Sequence, residues 1–156
     1  MKKIALFPGS FDPITLGHKN IIEKGALLFD KIIIAIGEND TKNYLLKVDK
    51  RISLIKKCFK NNSKIEVRKY KGLTIDYCSK KNIKFIIRGV RDFLDFEHER
   101  RLAFMNEGLN ETVTTFLIPC SKDFSGISST LIRSIIKNNG DYSKFIPNEI
   151  KNEIIL

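Results

Sequence analysis

The sequence predicts a single α/β domain, a doubly wound sheet of five parallel strands with helices on both faces. Three observations predict it. Short β-branched runs alternate with helical patterns of about a dozen residues, the signature of βαβ units. Several strand ends hand over to helices through polar, glycine-bearing turns. The chain has 156 residues, which suits one domain spanning residues 1–156 at roughly 100 to 200 residues per domain. With 42% apolar and 29% charged residues it can fill a core and is too apolar for disorder.

The first strand is expected at Ile4 to Phe7, an apolar run ended by Pro8-Gly9. Helical periodicity then runs from about His18 to Phe29 and places Ile21, Ile22, Gly25, Leu28 and Phe29 on the inner side. Ile32 to Ile36 supplies the second strand. A polar loop, Glu38 to Lys47, leads to a helix from about Asp49 to Phe59, a strand at Ile65 to Arg68 and a helix from about Leu73 to Lys81. Strand Phe85 to Arg88, helix Asp92 to Asn106 and strand Val113 to Ile118 follow. A further helix begins near Ser128, and Pro147 is expected to open a last one, since proline is accepted in a helix's first turn. The expected architecture is Rossmann-like. Such sheets bind ligands outside the carboxyl ends of their strands, where strand order reverses. Four unusual segments fall at such ends: Pro8 to Pro13, Asn39 to Lys42, Arg88 to Arg91 and Ser121 to Ser129.

Lysine and arginine number 28 against 18 acidic residues, a formal charge of +10 that favours anionic partners. Nucleic acid, anionic lipid and phosphorylated small molecules share that sign, and codon bias towards lysine is a bland alternative. A nucleic-acid-binding module is not the expected reading. No RRM, KH or helix-turn-helix pattern is present, and the phosphate-suited residues gather at one edge instead of forming a stripe. Cys58, Cys78 and Cys120 are odd in number and without a CxxC pair, so neither a disulfide framework nor a zinc site is expected. Reduced cytoplasm is the expected compartment. No signal-peptide core follows Met1-Lys2-Lys3 and no stretch approaches a bilayer span, so no membrane association is expected.

The segment Pro8-Gly9-Ser10-Phe11-Asp12-Pro13-Ile14-Thr15-Leu16-Gly17-His18 joins the first strand to the first helix. Gly9 allows close backbone approach, Ser10 offers a hydroxyl, and the following helix start attracts phosphate. His18 falls in the first turn, where a structural histidine is the alternative. Ser128 and Ser129 open a later helix and present hydroxyls and free amides to phosphate; an ordinary N-cap is the alternative. Arg88 and Arg91 leave the fourth strand around Gly89, a setting suited to forked contacts with phosphate. Helical spacing then puts Asp92, Phe96, Glu99, Ala103 and Asn106 on one stripe, either a cleft wall or a solvated face with Phe96 turned inward.

Thr15-Leu16-Gly17-His18 resembles the T/HxGH signature of the nucleotidylyltransferase superfamily, and Ile127-Ser128-Ser129-Thr130-Leu131-Ile132-Arg133 resembles its ISSTxxR signature. With the block Arg88-Gly89-Val90-Arg91 to Glu99 and Met105-Asn106 between them, nearly the whole chain resembles the bacterial phosphopantetheine adenylyltransferases. Nicotinate mononucleotide adenylyltransferases share the outer signatures but not the arginine block. The RTEGIST form of phosphocholine and glycerol-phosphate cytidylyltransferases is absent. Departures fall at Gly126, where a larger residue is usual, at Thr130 and Arg133, which replace serine and lysine, and in the loop around Lys42, which lacks the following lysine and proline.

The resemblance implies adenylyl transfer from ATP to 4′-phosphopantetheine, giving dephospho-coenzyme A and pyrophosphate by direct in-line attack. It implies that His18, Lys42 and Arg91 are catalytic, with His18 stabilising the transition state. Ser10, Phe11, Gly89, Val90, Glu99 and the run Phe124, Ser125, Gly126, Ile127, Ser128, Ser129 and Thr130 would join His18 and Arg91 in holding ATP. Ser10, Lys42, Thr74, Arg88 and Asn106 would hold phosphopantetheine. Magnesium is expected on the ATP phosphates, with no protein metal ligands, and a homohexamer is expected.

Overall fold

A computed structural model describes residues 2–39 and 41–154; Asp40, in the polar loop, lies outside the described residues. The chain alternates strand and helix: β1 (Ile4–Gly9), α1 (Leu16–Leu28), β2 (Lys31–Glu38), α2 (Val48–Cys58), β3 (Ile65–Lys71), α3 (Thr74–Lys81), β4 (Phe85–Val90), α4 (Phe93–Leu109), β5 (Thr114–Pro119) and α5 (Ser129–Lys137). All pairings are parallel and the sheet order is β3-β2-β1-β4-β5, the expected doubly wound arrangement.

Alternation along β2 explains the two layers. Ile32, Ile34 and Ile36 enter the core beneath α1, α2 and α5, while Ile33 and Ala35 point to the opposite side with Ile75 and Cys78 of α3. A strand covered on both faces reads as an unbroken apolar run, which is why Ile32 to Ile36 is legible as a strand without polar alternation.

The strand order reverses between β1 and β4. β1 stays paired with β2 through Gly9 and Ile36, but its pairing with β4 runs over Ala5 with Phe85 and Leu6 with Ile86 and then stops. Beyond that point the strands part, and their carboxyl ends form the two lips of a cleft at the switch point.

Two expectations are corrected. Leu28 is 61% exposed. Phe29, in extended conformation just past the helix, turns inward instead and packs against Phe85 and Phe116. Pro147 does not open an α-helix. It caps a single 3₁₀ turn, Asn148–Ile150, closed by the Pro147 carbonyl accepting from the Ile150 amide. So short a stretch gains too few i→i−4 bonds to offset helix nucleation, and burial of Ile146, Ile150 and Ile154 fixes its path instead.

Ile34 lies at the centre of β2 with no exposed surface. Ile34→Ala is expected to cost about 2–5 kcal/mol in urea unfolding, and Leu27→Ala, on the solvent side of α1, no more than about 0.5 kcal/mol. Equal losses at the two positions would contradict this core assignment.

Candidate active site

The cleft encloses about 500 Å³, within the range of small-molecule sites. It is built from four chain segments, one on each strand end singled out from the sequence.

The first is the β1–α1 loop. Phe11 adopts φ 47°, a left-handed conformation costly for a bulky residue. That turn sends its ring back under the loop, within 2.9 Å of where a Cβ on Gly9 would stand. Gly9 is therefore required by the Phe11 ring. Thr15 caps α1: its Oγ1 accepts from the His18 amide at 3.2 Å, and the His18 ring answers, Nδ1 lying 3.1 Å from the Thr15 amide and 3.1 Å from Thr15 Oγ1. This is a capping box in which histidine takes the place of the usual Glu or Gln.

The box decides the tautomer. A backbone amide only donates, so Nδ1 accepts and the neutral ring carries its proton on Nε2. The rings of Phe11 and Phe7 meet the imidazole edge-on at 5.0 and 6.3 Å between centroids. Burial, and then the charges of Arg91 and Arg88, bring the His18 pKa down from 6.5 to about 4. At neutral pH the side chain is an uncharged Nε2–H donor.

The second segment follows β4. Arg88 gives Nε and one terminal nitrogen to the two oxygens of Glu99, each at 2.6 Å, and the other terminal nitrogen to the Pro8 carbonyl at 2.6 Å. The guanidinium thus bridges the parted ends of β1 and β4. Three of its five N–H groups are used, and two remain. Glu99 is the buried residue of α4, 5% exposed, so the charged stripe of this helix is a cleft wall at that position. Phe96, 39% exposed, is not turned inward. Gly89 lets α1 sit close to the strand, since a Cβ there would lie 2.8 Å from Ile21. Arg91 forks onto Asp95 at 3.0 and 3.2 Å. Burial raises the Asp95 pKa, but the Arg91 hydrogen bond and charge outweigh it and hold the carboxyl below its usual range.

The third segment is the start of α5. Ser128 is its N-cap, its hydroxyl accepting from the Leu131 amide at 3.2 Å, and the Ser129 hydroxyl donates to the Pro13 carbonyl at 2.9 Å. The Ser128 hydroxyl only accepts in its bond with Leu131, so its own proton, like the first-turn amides of Ser129 and Thr130 ahead of the first intrahelical bonds, is open to donation to an anion at the cleft. Arg133 donates to the Asp12 carbonyl at 2.9 Å and to Thr130 Oγ1 at 3.0 Å. The fourth segment carries Lys42, Asn43 and Tyr44 at the cleft mouth.

Of the residues singled out from the sequence, Ser10, Phe11, His18, Lys42, Arg88, Gly89, Arg91, Glu99, Ile127, Ser128, Ser129 and Thr130 line this one cleft. Val90 ends β4 beside it. Phe124 closes a 3₁₀ turn, Lys122–Phe124, whose last carbonyl packs over Gly17, and Ser125 folds back on Lys122. A Cβ at Gly126 would meet nothing within 4 Å, so the larger residue usual there has room. Thr74 and Asn106 do not line the cleft: Thr74 opens α3 with its hydroxyl 2.7 Å from Tyr70, and Asn106 lies three turns along α4. Sequence reasoning assigns no role to Asp12, Arg51 or Asp95. Asp95 was signalled by its i,i+4 spacing from Arg91, and Arg51 by falling on the apolar face of α2 with Leu54, Ile55 and Cys58.

A parallel sheet with two arginines, a neutral histidine donor and a helix N-terminus around one switch-point cleft suits a ligand that carries phosphates. Residues 6–135 match the cytidylyltransferase-like family model. The chain is similar over its whole fold to a crystal structure of a candidate nicotinate-nucleotide adenylyltransferase from Vibrio parahaemolyticus, with a TM-score of 0.69, 23% identity and 96% of each chain covered. It is 46% identical over 147 residues to the phosphopantetheine adenylyltransferase of Flavobacterium psychrophilum, covering 94% of this chain and 97% of that one. To the phosphopantetheine adenylyltransferase of Cytophaga hutchinsonii it is 43% identical, over 96% of this chain and all of that one. The chain belongs to the phosphopantetheine adenylyltransferase family.

The depressed His18 pKa has a sign that can be checked. The unfolded chain, with histidine near 6.5, takes up its proton first as pH falls. The stability contributed by neutral His18 is therefore complete above about pH 6.5 and lost as pH drops through about 4, amounting to roughly 3 kcal/mol. An NMR titration of the ligand-free protein is expected to show the His18 ring neutral, protonated on Nε2, down to about pH 5. A midpoint near 6.5 would refute the uncharged-donor assignment.

Proposed function

We propose that the protein transfers the adenylyl group of ATP to 4′-phosphopantetheine, releasing pyrophosphate and forming dephospho-coenzyme A. An ionised oxygen of the 4′-phosphate attacks the α-phosphorus of ATP. The α-phosphorus bond to the bridging oxygen breaks in line, and pyrophosphate leaves with that electron pair. The nucleophile is ionised at neutral pH, so no side chain has to remove a proton. Catalysis then rests on alignment and on stabilising charge at the α-phosphoryl group. The observation that carries this reading is the fixed, uncharged Nε2–H of His18 in one cleft with Arg88 and Arg91, a donor that needs no reorganisation as charge develops.

Around it, Lys42 and the remaining N–H groups of Arg88 would receive the acceptor phosphate, and Ser10 would touch both substrates. Arg91 and the amides of Ser129 and Thr130 would hold the triphosphate. Glu99 supports the site through Arg88, which occupies both of its oxygens. Phe11, Gly89, Val90 and the 124–130 segment would frame the nucleotide, with Thr74 and Asn106 further along the pantetheine arm. Among the described residues no group of three or more His, Cys, Asp or Glu is arranged to hold a metal. The cleft carboxylates of Asp12, Asp95 and Glu99 are each taken by protein donors. These residues fit a magnesium ion carried on the triphosphate oxygens, where it would neutralise charge.

A homohexamer in the cytoplasm completes the proposal. No described helix is long and apolar enough to cross a membrane. Phe93, Leu94, Phe104, Met105 and Leu109 of α4 are exposed apolar side chains suited to burial between subunits. Sedimentation equilibrium is expected to give six copies per particle; a monomer at micromolar concentration would remove that part.

Pyrophosphate release from ATP and magnesium is expected with 4′-phosphopantetheine and not with nicotinate mononucleotide. His18→Ala should lower kcat about 10²- to 10³-fold, roughly 2.7–4 kcal/mol, as removal of one oxyanion donor does. Release with the nicotinate acceptor alone would move the substrate assignment, and near-normal turnover by His18→Ala would take His18 out of the mechanism.

A further inference from the structure

Arg51 lies on the inward face of α2 and is 2% exposed. Its described partners carry no charge. Nε donates to the Leu46 carbonyl at 3.1 Å, a terminal nitrogen donates to the Ser10 carbonyl at 2.7 Å, and the guanidinium stacks over the Tyr44 ring at 4.1 Å. Burying a cation among neutral partners is expensive, and an apolar residue beside Leu54, Ile55 and Cys58 would fill the space at lower cost. Stability therefore does not account for an arginine here. Its planar fork does something an apolar side chain does not do, which is to fix three separate chain positions at once.

Those positions belong to two loops of the cleft. Asp12, buried in the β1–α1 loop, accepts from the Leu45 amide at 2.7 Å and the Leu46 amide at 2.9 Å. Arg51 and Asp12 thus hold the same short segment from opposite sides, one through its carbonyl and one through its amides. Lys42 stands two residues ahead of Tyr44 on that segment, and Ser10 is the other anchor.

We propose that Arg51 is a positioning residue for the adenylyl transfer: with Asp12 it clamps the Lys42-bearing segment against the Ser10 loop and so sets where the acceptor phosphate is held. The clamp rests on the function proposed above for its kinetic consequence, but not for its geometry. Arg51→Lys keeps the charge and loses the fork. It should lower kcat/KM for phosphopantetheine by about 10- to 100-fold, the scale of a misplacement near 1 Å, with the KM for ATP changed less than about 3-fold.

The test is a double-mutant cycle with Lys42→Ala, read together with amide hydrogen exchange. If Arg51 acts through Lys42, adding Arg51→Lys to Lys42→Ala costs less than about 3-fold further, and exchange at Leu45 and Leu46 accelerates in Arg51→Lys while the strand amides keep their protection. Additive kinetic losses, or unchanged exchange at Leu45 and Leu46, would overturn the proposal. Should wild-type protein fail to turn over phosphopantetheine, the function reading fails, and the exchange experiment still decides whether the clamp exists. Should Arg51→Lys not fold, Asp12→Asn, which replaces one of the two acceptor oxygens by an NH2 group, is expected to release one of the Leu45 and Leu46 amides, and continued protection of both would count against the clamp.

Discussion

The separation of β1 from β4 after Leu6 and Ile86 governs everything that follows in this molecule. A continuous sheet would place Pro8 and Arg88 in a backbone ladder. Because the strands part, the Pro8 carbonyl is free to accept from the Arg88 side chain, and the guanidinium takes over the span that backbone hydrogen bonds have left. The cation is then held at the floor of the cleft with Glu99 as its counter-charge. Sheet topology alone puts the gap at the switch point. The arginine–glutamate pair that bridges it leaves two guanidinium N–H groups in the gap, a setting suited to an anion.

The same logic extends to charge. Arg88 and Arg91 are each forked onto a carboxylate of α4. In water such pairs contribute little to stability, but here they fix the direction in which the unused N–H groups point before any ligand arrives. Preorganised donors cost no rearrangement when charge develops on a bound phosphoryl group. The two cations also reinforce burial in keeping His18 neutral. A protonated imidazole would bind any anion tightly, including product. A neutral Nε2–H can donate a directed hydrogen bond without adding charge to the cleft.

Much of this was legible in the sequence because it is local. Ile32 to Ile36 reads as a doubly covered strand, Thr15 and Ser128 read as helix starts, and each lies at a strand-to-helix handover that the fold brings to one edge. His18 and Thr15 are three residues apart, so their capping box is a near-neighbour feature. Asp95 aside, whose i,i+4 spacing from Arg91 was there to be read, what escaped depends on distance along the chain. Asp12 meets Leu45 and Leu46 across 33 and 34 positions, Arg51 meets Ser10 across 41, and Arg88 meets Pro8 across 80. No periodicity encodes such pairings. Leu28 and the Pro147 segment failed for different reasons: Leu28 is the last residue of α1 and the extended Phe29 takes the inward place beside it, while a proline marks a permitted helix start without supplying the length a helix needs.

The serines of the ISST segment also hold the protein's own chain at the cleft: the Ser128 hydroxyl caps α5 and the Ser129 hydroxyl donates to the Pro13 carbonyl. Serine suits this position because it starts the helix where the cleft needs amides and a positive dipole end, and because a second hydroxyl ties that helix start to the β1–α1 loop. Arg133 makes a parallel link from α5 to the Asp12 carbonyl. Asp12 is thus joined to α5 through its backbone and to the Lys42 segment through its side chain. A buried carboxylate with those connections sits where the two halves of the cleft are brought into register, so a shift of either half is felt by the other.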